Sequence, residues 1–395
     1  MQRNINLLKV IFSLNVAWFW LGIWVPYYLL FTDYAGVGVI ETVVVVTIFL
    51  LELPTGAFAD MLGKKRTLLL VFLFNCLGNI VMASANNFSQ ILLAIILLGI
   101  GTSLFSGTSD AIIYDSLLAL KREKQYERVL SAIQTYGLIT MAVASAIGGW
   151  MYLISPSLPF WGVAVVHGIC GVLTFWLVEP PFDSVRFSFN SYVLQMRRGV
   201  GQLFAVRNEL KWLVKLLIIG AFAKYLIEGL DPAIGLAFEL SEVELGYVYA
   251  LVPLISAAGA YFYGKSKSKD RGIWWSLIVC TLIVGPLLSP VIGLFMGVGV
   301  LLLRNIFYPI LETMTSNTVN RLVDSKYRAT TLSAFNMLVS TPYVLGAAII
   351  GSMIDRYGAL WVVSVLSCFF LLLYVVAPRA FPKFGLKAGN RLRKV

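Results

Sequence analysis

The sequence predicts an all-α membrane protein whose twelve transmembrane helices form two pseudo-symmetric six-helix bundles. This prediction rests on long apolar runs, on basic residues in alternate connections and on a weak internal repeat. Of the 395 residues, 59% are apolar and 13% are charged. Soluble domains carry about 45–50% apolar and about 25% charged residues. The excess of apolar residues therefore needs a lipid environment.

The apolar runs define twelve predicted spans, numbered 1 to 12 in chain order. Each has about 18 or more residues, which is enough to cross the hydrocarbon core as a helix. The first run has no small-residue cleavage site after it and is too long for a signal peptide, so it is span 1. The spans lie near residues 8–31, 37–59, 67–84, 91–119, 129–154, 159–178, 212–237, 245–264, 273–289, 291–319, 330–354 and 360–378.

Lysine and arginine concentrate in alternate connections, and the connection after span 7 carries Glu239, Glu242 and Glu244 instead. By the positive-inside rule, both termini and the long middle connection are cytoplasmic. The net charge of +11 is then an orientation signal for the lipid bilayer and argues against nucleic acid as a partner. Short loops without a large extramembrane domain predict a monomeric, multi-pass protein of a prokaryotic cytoplasmic (inner) membrane.

The longest polar connection divides the spans into six and six. Prolines in EPPFDS end span 6, and SYVLQMRRGVGQLFAV has the pattern of an amphipathic interfacial helix. Spans 4–5 and 10–11 match at one offset, for example in the Leu-Ser pairs at 130–131 and 332–333. A duplicated six-span unit is typical of transporters with the substrate path between the halves. The predicted parts are a first bundle at 1–178, a linker at 179–211, a second bundle at 212–378 and a basic cytoplasmic tail at 379–395.

The end of span 2 reads ELPTGAFADMLGKKRT. It resembles the signature loop of the major facilitator superfamily, Gly-x-x-x-Asp-basic-x-Gly-x-basic-basic. The matching residues are Gly56, Asp60, Gly63, Lys65 and Arg66, whereas Met61 stands where a basic residue is usual. The second-half loop YFYGKSKSKDRG lacks the aspartate. The resemblance implies a transporter in which spans 1, 4, 7 and 10 line a central cavity.

The resemblance also implies contacts at the cytoplasmic side. The carboxylate equivalent to Asp60 faces the amino end of span 11, near Ala329 to Leu332, where the helix dipole favours it, and Asp115 pairs with Lys64. We expect a cytoplasmic latch that stabilises the outward-open state, with a static ion pair as the alternative. The latch residues are Gly56, Asp60, Gly63, Lys64 and Asp115.

Ionisable residues at bilayer depth cost at least about 2.5 kcal/mol on insertion scales and therefore usually face a cavity. Lys224, Glu228 and Asp231 in span 7 follow i, i+4, i+7 spacing, which predicts one shared face. A second stripe lies in span 10 and a third in span 4. The residues assigned to substrate binding and proton coupling are Asp110, Tyr114, Lys224, Glu228, Asp231, Arg304, Tyr308 and Glu312.

These residues have different expected roles. Glu228 or Asp231 carries the coupling proton, Lys224 and Arg304 tune its pKa, and the carboxylates of spans 4 and 10 guard the inner mouth. The alternative is a permanent Lys224–Glu228 pair without a transport role. Glu41 in span 2 is expected to form a structural pair. Aromatic residues of span 1 line the cavity or, alternatively, pack in the core; they are Trp18, Trp24, Tyr27 and Tyr28.

An aromatic cavity with mixed charges favours a proton-coupled exporter, or antiporter, of a small amphipathic or cationic compound. Ala144 and Ser145 stand in span 5 where exporters of this superfamily usually have Gly-Pro, so a proton-coupled importer or a lipid-handling relative stays open. A multispan membrane enzyme needs clustered nucleophile, base and metal ligands, which the sequence does not show. With one histidine and four isolated cysteines, we expect no metal and no cofactor, and the proton gradient as the energy source.

Overall fold

The computed structural model describes residues 1–180, 210–266, 271–323 and 328–377, together with 194, 197–198 and 201. For residues 52–61, 107, 210, 271 and 329–330 it describes the backbone only. These described residues are helical apart from short turns, and no strand occurs among them. The predicted interfacial helix of the linker and the basic tail lie almost entirely outside the described residues.

Nine spans are single helices that are long and apolar enough to cross a membrane, within the ranges that the structure describes. Their termini lie close to the boundaries expected from the apolar runs. The helices are span 2 (Tyr34–Leu62), span 3 (Lys64–Ala83), span 4 (Phe88–Leu118), span 5 (Tyr126–Ile154), span 6 (Leu158–Phe175), span 8 (Glu242–Lys265), span 10 (Leu294–Leu322), span 11 (Arg328–Tyr357) and span 12 (Ala359–Val376).

Spans 1, 7 and 9 are interrupted helices, and with them the fold has its twelve spans. Span 1 consists of Gln2–Asn15 and Trp24–Tyr28, joined by irregular turns. Span 7 consists of Leu210–Lys224, a π-helical turn at Tyr225–Leu230 and Asp231–Ala237. Span 9 has the same form, with Arg271–Val279, a π-helical turn at Cys280–Val284 and Gly285–Leu287.

Both π-helical turns end two residues before a proline, Pro232 in span 7 and Pro286 in span 9. Proline has no N–H to donate, and its ring collides with the carbonyl group one turn earlier. A wider turn relieves that collision while the helix continues. The interruption of span 7 therefore falls among the charged residues that the sequence singles out.

Apolar side chains lie both inside and outside each bundle. The first bundle packs around residues such as Leu8, Phe72 and Ile91, and the second around residues such as Phe222 and Ile310. Many large apolar side chains remain on the outer surface. That surface suits lipid, because the helices satisfy their own backbone groups and present large apolar side chains to the acyl chains.

We call the side of the membrane that bears Gln2 and Ala377 the near side and the opposite side the far side. On the far side the two bundles contact each other through spans 5 and 8 and through spans 2 and 11. The Ser145 hydroxyl donates to the Gly246 carbonyl oxygen at 3.1 Å. A Cβ on Gly149 would come within 2.7 Å of the Glu242 carbonyl oxygen. These small residues let the helices approach closely and close the far side.

Candidate functional site

Two cavities lie between the bundles, on the near side of these contacts. The first has a volume of about 630 Å³ and is lined by spans 1, 4, 5, 8 and 10. The second has a volume of about 680 Å³ and is lined by spans 2, 7, 10 and 11. Glu312 lines both, so the cavities adjoin at its carboxylate. Spans 1, 4, 7 and 10 all contribute to this space, together with four further spans.

Lys224 lines the second cavity and forms an ion pair with Glu228. The two side chains are 25% and 34% exposed, so water reaches the pair, of which Lys224 is the member that lines the cavity. Both residues lie where span 7 changes from α-helical to π-helical geometry. The pair is partly open to solvent and lies beside the contact between the bundles. A change in that contact would therefore alter the surroundings of the pair.

A third ionisable group, Glu41, approaches this pair from span 2 of the other bundle. The Tyr343 hydroxyl of span 11 donates to Glu41 Oε2 at 3.3 Å, which joins the two bundles. Glu41 also interacts electrostatically with Glu228 and Lys224. The site therefore holds two carboxyl groups and one amine at the closed far side. The sequence analysis left Glu41 out of the site; a lone carboxylate within an apolar run was the available signal.

The Asp231–Arg304 pair has different surroundings. Asp231 Oδ1 lies 2.5 Å from Arg304 Nη2, and each side chain is 1% exposed. Asn305 Nδ2 donates to Asp231 Oδ2 at 3.4 Å. Neither member of the ion pair lines the two cavities. The pair joins spans 7 and 10 inside the second bundle.

The position of Asp231 corrects the expectation that Lys224, Glu228 and Asp231 share one face. A π-helical turn holds more residues than an α-helical turn, so the i, i+7 alignment fails across Tyr225–Leu230. Asp231 consequently points to Arg304 of span 10. The expected stripe of span 10 divides in the same way, since Arg304 is buried whereas the other two members reach the cavity.

Tyr308 and Glu312 in span 10 lie four residues apart, interact electrostatically and line the second cavity. Asp110 in span 4 lines the first cavity and interacts electrostatically with Tyr126. Tyr114 is 45% exposed, and its ring meets the edge of Tyr126 with centroids 5.8 Å apart. The structure thus brings two carboxylates to the cavity wall, and Tyr126 of span 5 is a neighbour that the sequence analysis missed.

Among the described residues, the aromatic side chains of span 1 line neither cavity, which favours the alternative of core packing. Trp24, Tyr27 and Tyr28 are buried among apolar residues of spans 3, 4 and 6. The Tyr27 hydroxyl donates to the Met82 carbonyl oxygen at 2.6 Å. Trp18 stacks on Trp20, with centroids 5.4 Å apart. Their packing fills the far half of the first bundle.

At the near side, Lys64 and Asp115 form an ion pair. Both residues belong to the first bundle, so this pair alone does not hold the bundles together. Glu179 accepts hydrogen bonds from the backbone N–H groups of Lys64 at 2.7 Å and of Lys65 at 3.0 Å. Gly63 has a φ of 90°, which other residues rarely adopt.

Two members of the expected latch cannot be described further. The side chains at 52–61, which include Gly56 and Asp60, lie outside the described residues, as do those at 329–330. The contact between Asp60 and the amino end of span 11 therefore stays a prediction.

Two six-span bundles that enclose a cavity with ionisable walls have the architecture of a membrane transporter. The chain belongs to the Major Facilitator Superfamily, whose sequence profile matches residues 7–347. No curated protein matches the sequence.

Several solved structures share the fold. A mutant of the nucleoside transporter NupG has a TM-score of 0.79 at 16% identity, over 96% of this chain and 100% of that chain. A bacterial homolog of the human lysosomal transporter Spinster, inward-facing and unoccupied, has a TM-score of 0.73 at 15% identity, over 95% and 96%. An auto-inhibited peptide transporter of the POT family has a TM-score of 0.70 at 13% identity, over 97% and 98%.

Proposed function

We propose that this protein is a secondary transporter that exports a small amphipathic or cationic compound in exchange for protons. Transport proceeds by alternating access between the two bundles, in a cytoplasmic membrane with both termini in the cytoplasm. With that orientation, the far side is the outside of the cell and the cavities face inward. The single observation that carries the proton-coupling proposal is the partly exposed Lys224–Glu228 pair, whose lysine lines the second cavity, beside Glu41 of the opposite bundle.

The coupling follows from the charges at this contact. Closing the far side brings Glu41 towards Glu228, and two carboxylates repel each other strongly where the dielectric is low. A proton on one of them, or Lys224 between them, removes the repulsion. Opening the far side separates the two carboxyl groups and exposes Glu228 to the outside, from which it takes up the proton that the next closure requires. That proton leaves to the inside while the cavities face inward. Glu228 is the proposed proton carrier, because Asp231 is held by Arg304 and Asn305 away from the cavities.

The substrate class follows from the cavity walls. The cavity volumes suit a drug-sized molecule, and Asp110 and Glu312 offer negative charge to a cation. Tyr308 and the aromatic ring of Phe105 add surface for an amphipathic or planar substrate.

A specific observation favours a second candidate, the import of a neutral polar solute such as a nucleoside. Three side-chain amides line the cavities, those of Asn15, Gln134 and Asn336. Amides donate and accept hydrogen bonds and so suit a nucleobase or a sugar. NupG, which shares the fold, is a nucleoside transporter.

Proteoliposomes with a pH gradient of either sign distinguish the two candidates. A fluorescent lipophilic cation that accumulates only when the lumen is acidic supports proton antiport. Radiolabelled uridine that accumulates only when the outside is acidic supports proton symport instead. Movement of neither probe under either gradient would overturn both substrate classes.

Site variants test the proton carrier in the same vesicles. Glu228→Gln is expected to abolish accumulation driven by the gradient, while Glu123→Gln, at an exposed near-side position, leaves it unchanged. Full coupling in Glu228→Gln would refute the assignment.

A further inference from the structure

The signature pattern of the near side occurs a second time, at the far end of span 11. Residues 56–63 read GAFADMLG and residues 351–358 read GSMIDRYG. Both segments have Gly-x-x-x-Asp-x-x-Gly spacing at the end of a span, directly before the next helix. The second copy carries Arg356 after the aspartate, the type of residue that Met61 replaces in the first copy.

The two turns also have the same backbone geometry. Gly63 has φ 90° and ψ 149°, and Gly358 has φ 80° and ψ 150°. They are the glycines with positive φ among the residues that the structure describes. Each immediately precedes a helix, span 3 or span 12. The repeated spacing therefore corresponds to a repeated structure.

Asp355 of the second copy contacts the first bundle. Its Oδ1 accepts a hydrogen bond from the Tyr34 N–H at 3.0 Å, and its Oδ2 accepts one from the Ala35 N–H at 3.0 Å. Tyr34 and Ala35 are the first two residues of span 2. The first turn of a helix has N–H groups without a partner in the helix and carries a partial positive charge. Asp355 thus caps span 2 across the boundary between the bundles.

This cap forms where spans 2 and 11 are in direct contact. A Cβ on Gly351 would come within 2.8 Å of the Ala35 Cα atom, and one on Gly38 within 2.6 Å of the Ala348 Cα atom. The Thr42 hydroxyl donates to the Val344 carbonyl oxygen at 3.0 Å. All these contacts join the two bundles on the far side, so opening the far side breaks the cap.

We propose that Asp355 is a positioning residue that stabilises the far-closed state, as the far-side counterpart of Asp60. Spans 2 and 11 are antiparallel, so the aspartate at the end of each lies opposite the amino end of the other. Asp355 caps span 2 when the far side is closed, and Asp60 caps span 11 when the near side is closed. The transition exchanges one cap for the other. This inference rests on the alternating access that we propose above.

The test measures the opening of the far side directly. Ile154 and Val291 lie on the far side in different bundles and are each 79% exposed. Spin labels at Ile154→Cys and Val291→Cys, in a background without the four native cysteines, report their separation by pulsed electron paramagnetic resonance. Asp355→Asn removes the negative charge and one of the two acceptor oxygens, so it is expected to raise the ratio of long to short distances about two- to fivefold, the effect of losing a charge at a helix terminus. Asp355→Glu, which keeps the charge, preserves most of the short-distance population.

A matched control is available at the same helix end. Asp33 Oδ1 accepts a hydrogen bond from the Gly36 N–H at 2.9 Å, within the first bundle. Asp33→Asn therefore removes a carboxylate from the same amino terminus without touching the boundary between the bundles. It is expected to leave the distance ratio unchanged.

A second variant covers a failure of Asp355→Asn to fold. Gly351→Ala places a methyl group against the backbone of span 2 and is expected to raise the ratio in the same direction. An unchanged ratio in the folded variants of Asp355 and Gly351, or an equal rise in Asp33→Asn, overturns the proposal. The measurement uses no substrate and no proton gradient. A shift in Asp355→Asn without any gradient-driven transport would thus count against the proposed function alone.

Discussion

Span 7 carries two ion pairs that differ in almost every physical respect. Lys224 and Glu228 lie on one helix, adjoin a cavity and are 25% and 34% exposed. Asp231 and Arg304 lie on different helices, are 1% exposed and share Asn305 as a further partner. Water can replace a partner in the first pair, but a member of the second pair that loses its partner is left charged in an apolar interior.

This difference gives the two pairs different roles: one holds helices together, and the other can change partners. A sealed pair costs several kcal/mol to break, so it holds spans 7 and 10 together through any movement of the bundles. An exposed pair contributes about 0–1 kcal/mol and can exchange partners as the bundle contact changes. Only the exposed pair faces the other bundle, through Glu41. The sealed pair keeps spans 7 and 10 in a fixed arrangement while the exposed pair exchanges partners.

Removing the arginine of the sealed pair should have the largest effect. Arg304→Met leaves Asp231 buried without a counter-charge, and we expect a loss of about 3–5 kcal/mol in the free energy of unfolding. Chemical unfolding in detergent measures this loss. The double variant Arg304→Met with Asp231→Leu restores most of it, because it removes both charges. Equal stability of the single variant and the unaltered protein would show that the pair does not hold spans 7 and 10 together.

Neutralising the exposed pair should affect transport and leave stability nearly unchanged. Glu228→Gln is expected to change the free energy of unfolding by less than about 1 kcal/mol while it abolishes accumulation driven by the pH gradient. The two quantities are measured on the same preparation, by unfolding in detergent and by uptake into proteoliposomes. A large loss of stability with retained coupling would reverse the roles of the two pairs.

The smallest of these effects concerns the link between the bundles. Tyr343→Phe removes the hydroxyl that donates to Glu41, and a hydrogen bond of this kind contributes about 0.5–1.5 kcal/mol. We expect a corresponding two- to tenfold rise, about fivefold at the centre, in the far-open population. The spin-label pair at 154 and 291 measures it. Ser352→Ala is a suitable control, because among the described residues the Ser352 hydroxyl bonds only to the Ala348 carbonyl oxygen of its own helix.

Much of the fold is encoded in properties that can be read along the chain. The number of apolar runs that are long enough to cross the membrane sets the number of spans. The Gly-x-x-x-Asp-x-x-Gly loop indicates the family, and the profile match over residues 7–347 confirms it. Lys64 and Asp115, whose pairing the family resemblance implies, do form an ion pair. The bundle boundaries at 178 and 212 and the roles of the site residues stay predictions.

The assignment of side chains to faces was less successful. The i, i+7 spacing placed Asp231 beside Lys224, but the π-helical turn before Pro232 directs it to Arg304. Cavity lining and core packing were both open for the aromatic residues of span 1, and Trp24, Tyr27 and Tyr28 pack in the core. Glu41 was set apart as a structural residue, although it approaches Glu228 across the bundle boundary.

The sequence by itself determined that the protein lies in lipid, how many times the chain crosses the membrane and that a few charged residues lie at bilayer depth. These follow from hydrophobicity and from the charge pattern, which depend on each residue and its neighbours along the chain. Only the tertiary structure decided which charge is sealed, which faces water and which lies opposite the other bundle. Those outcomes depend on helix rotation and close approach, and one wide turn or one glycine contact changes both.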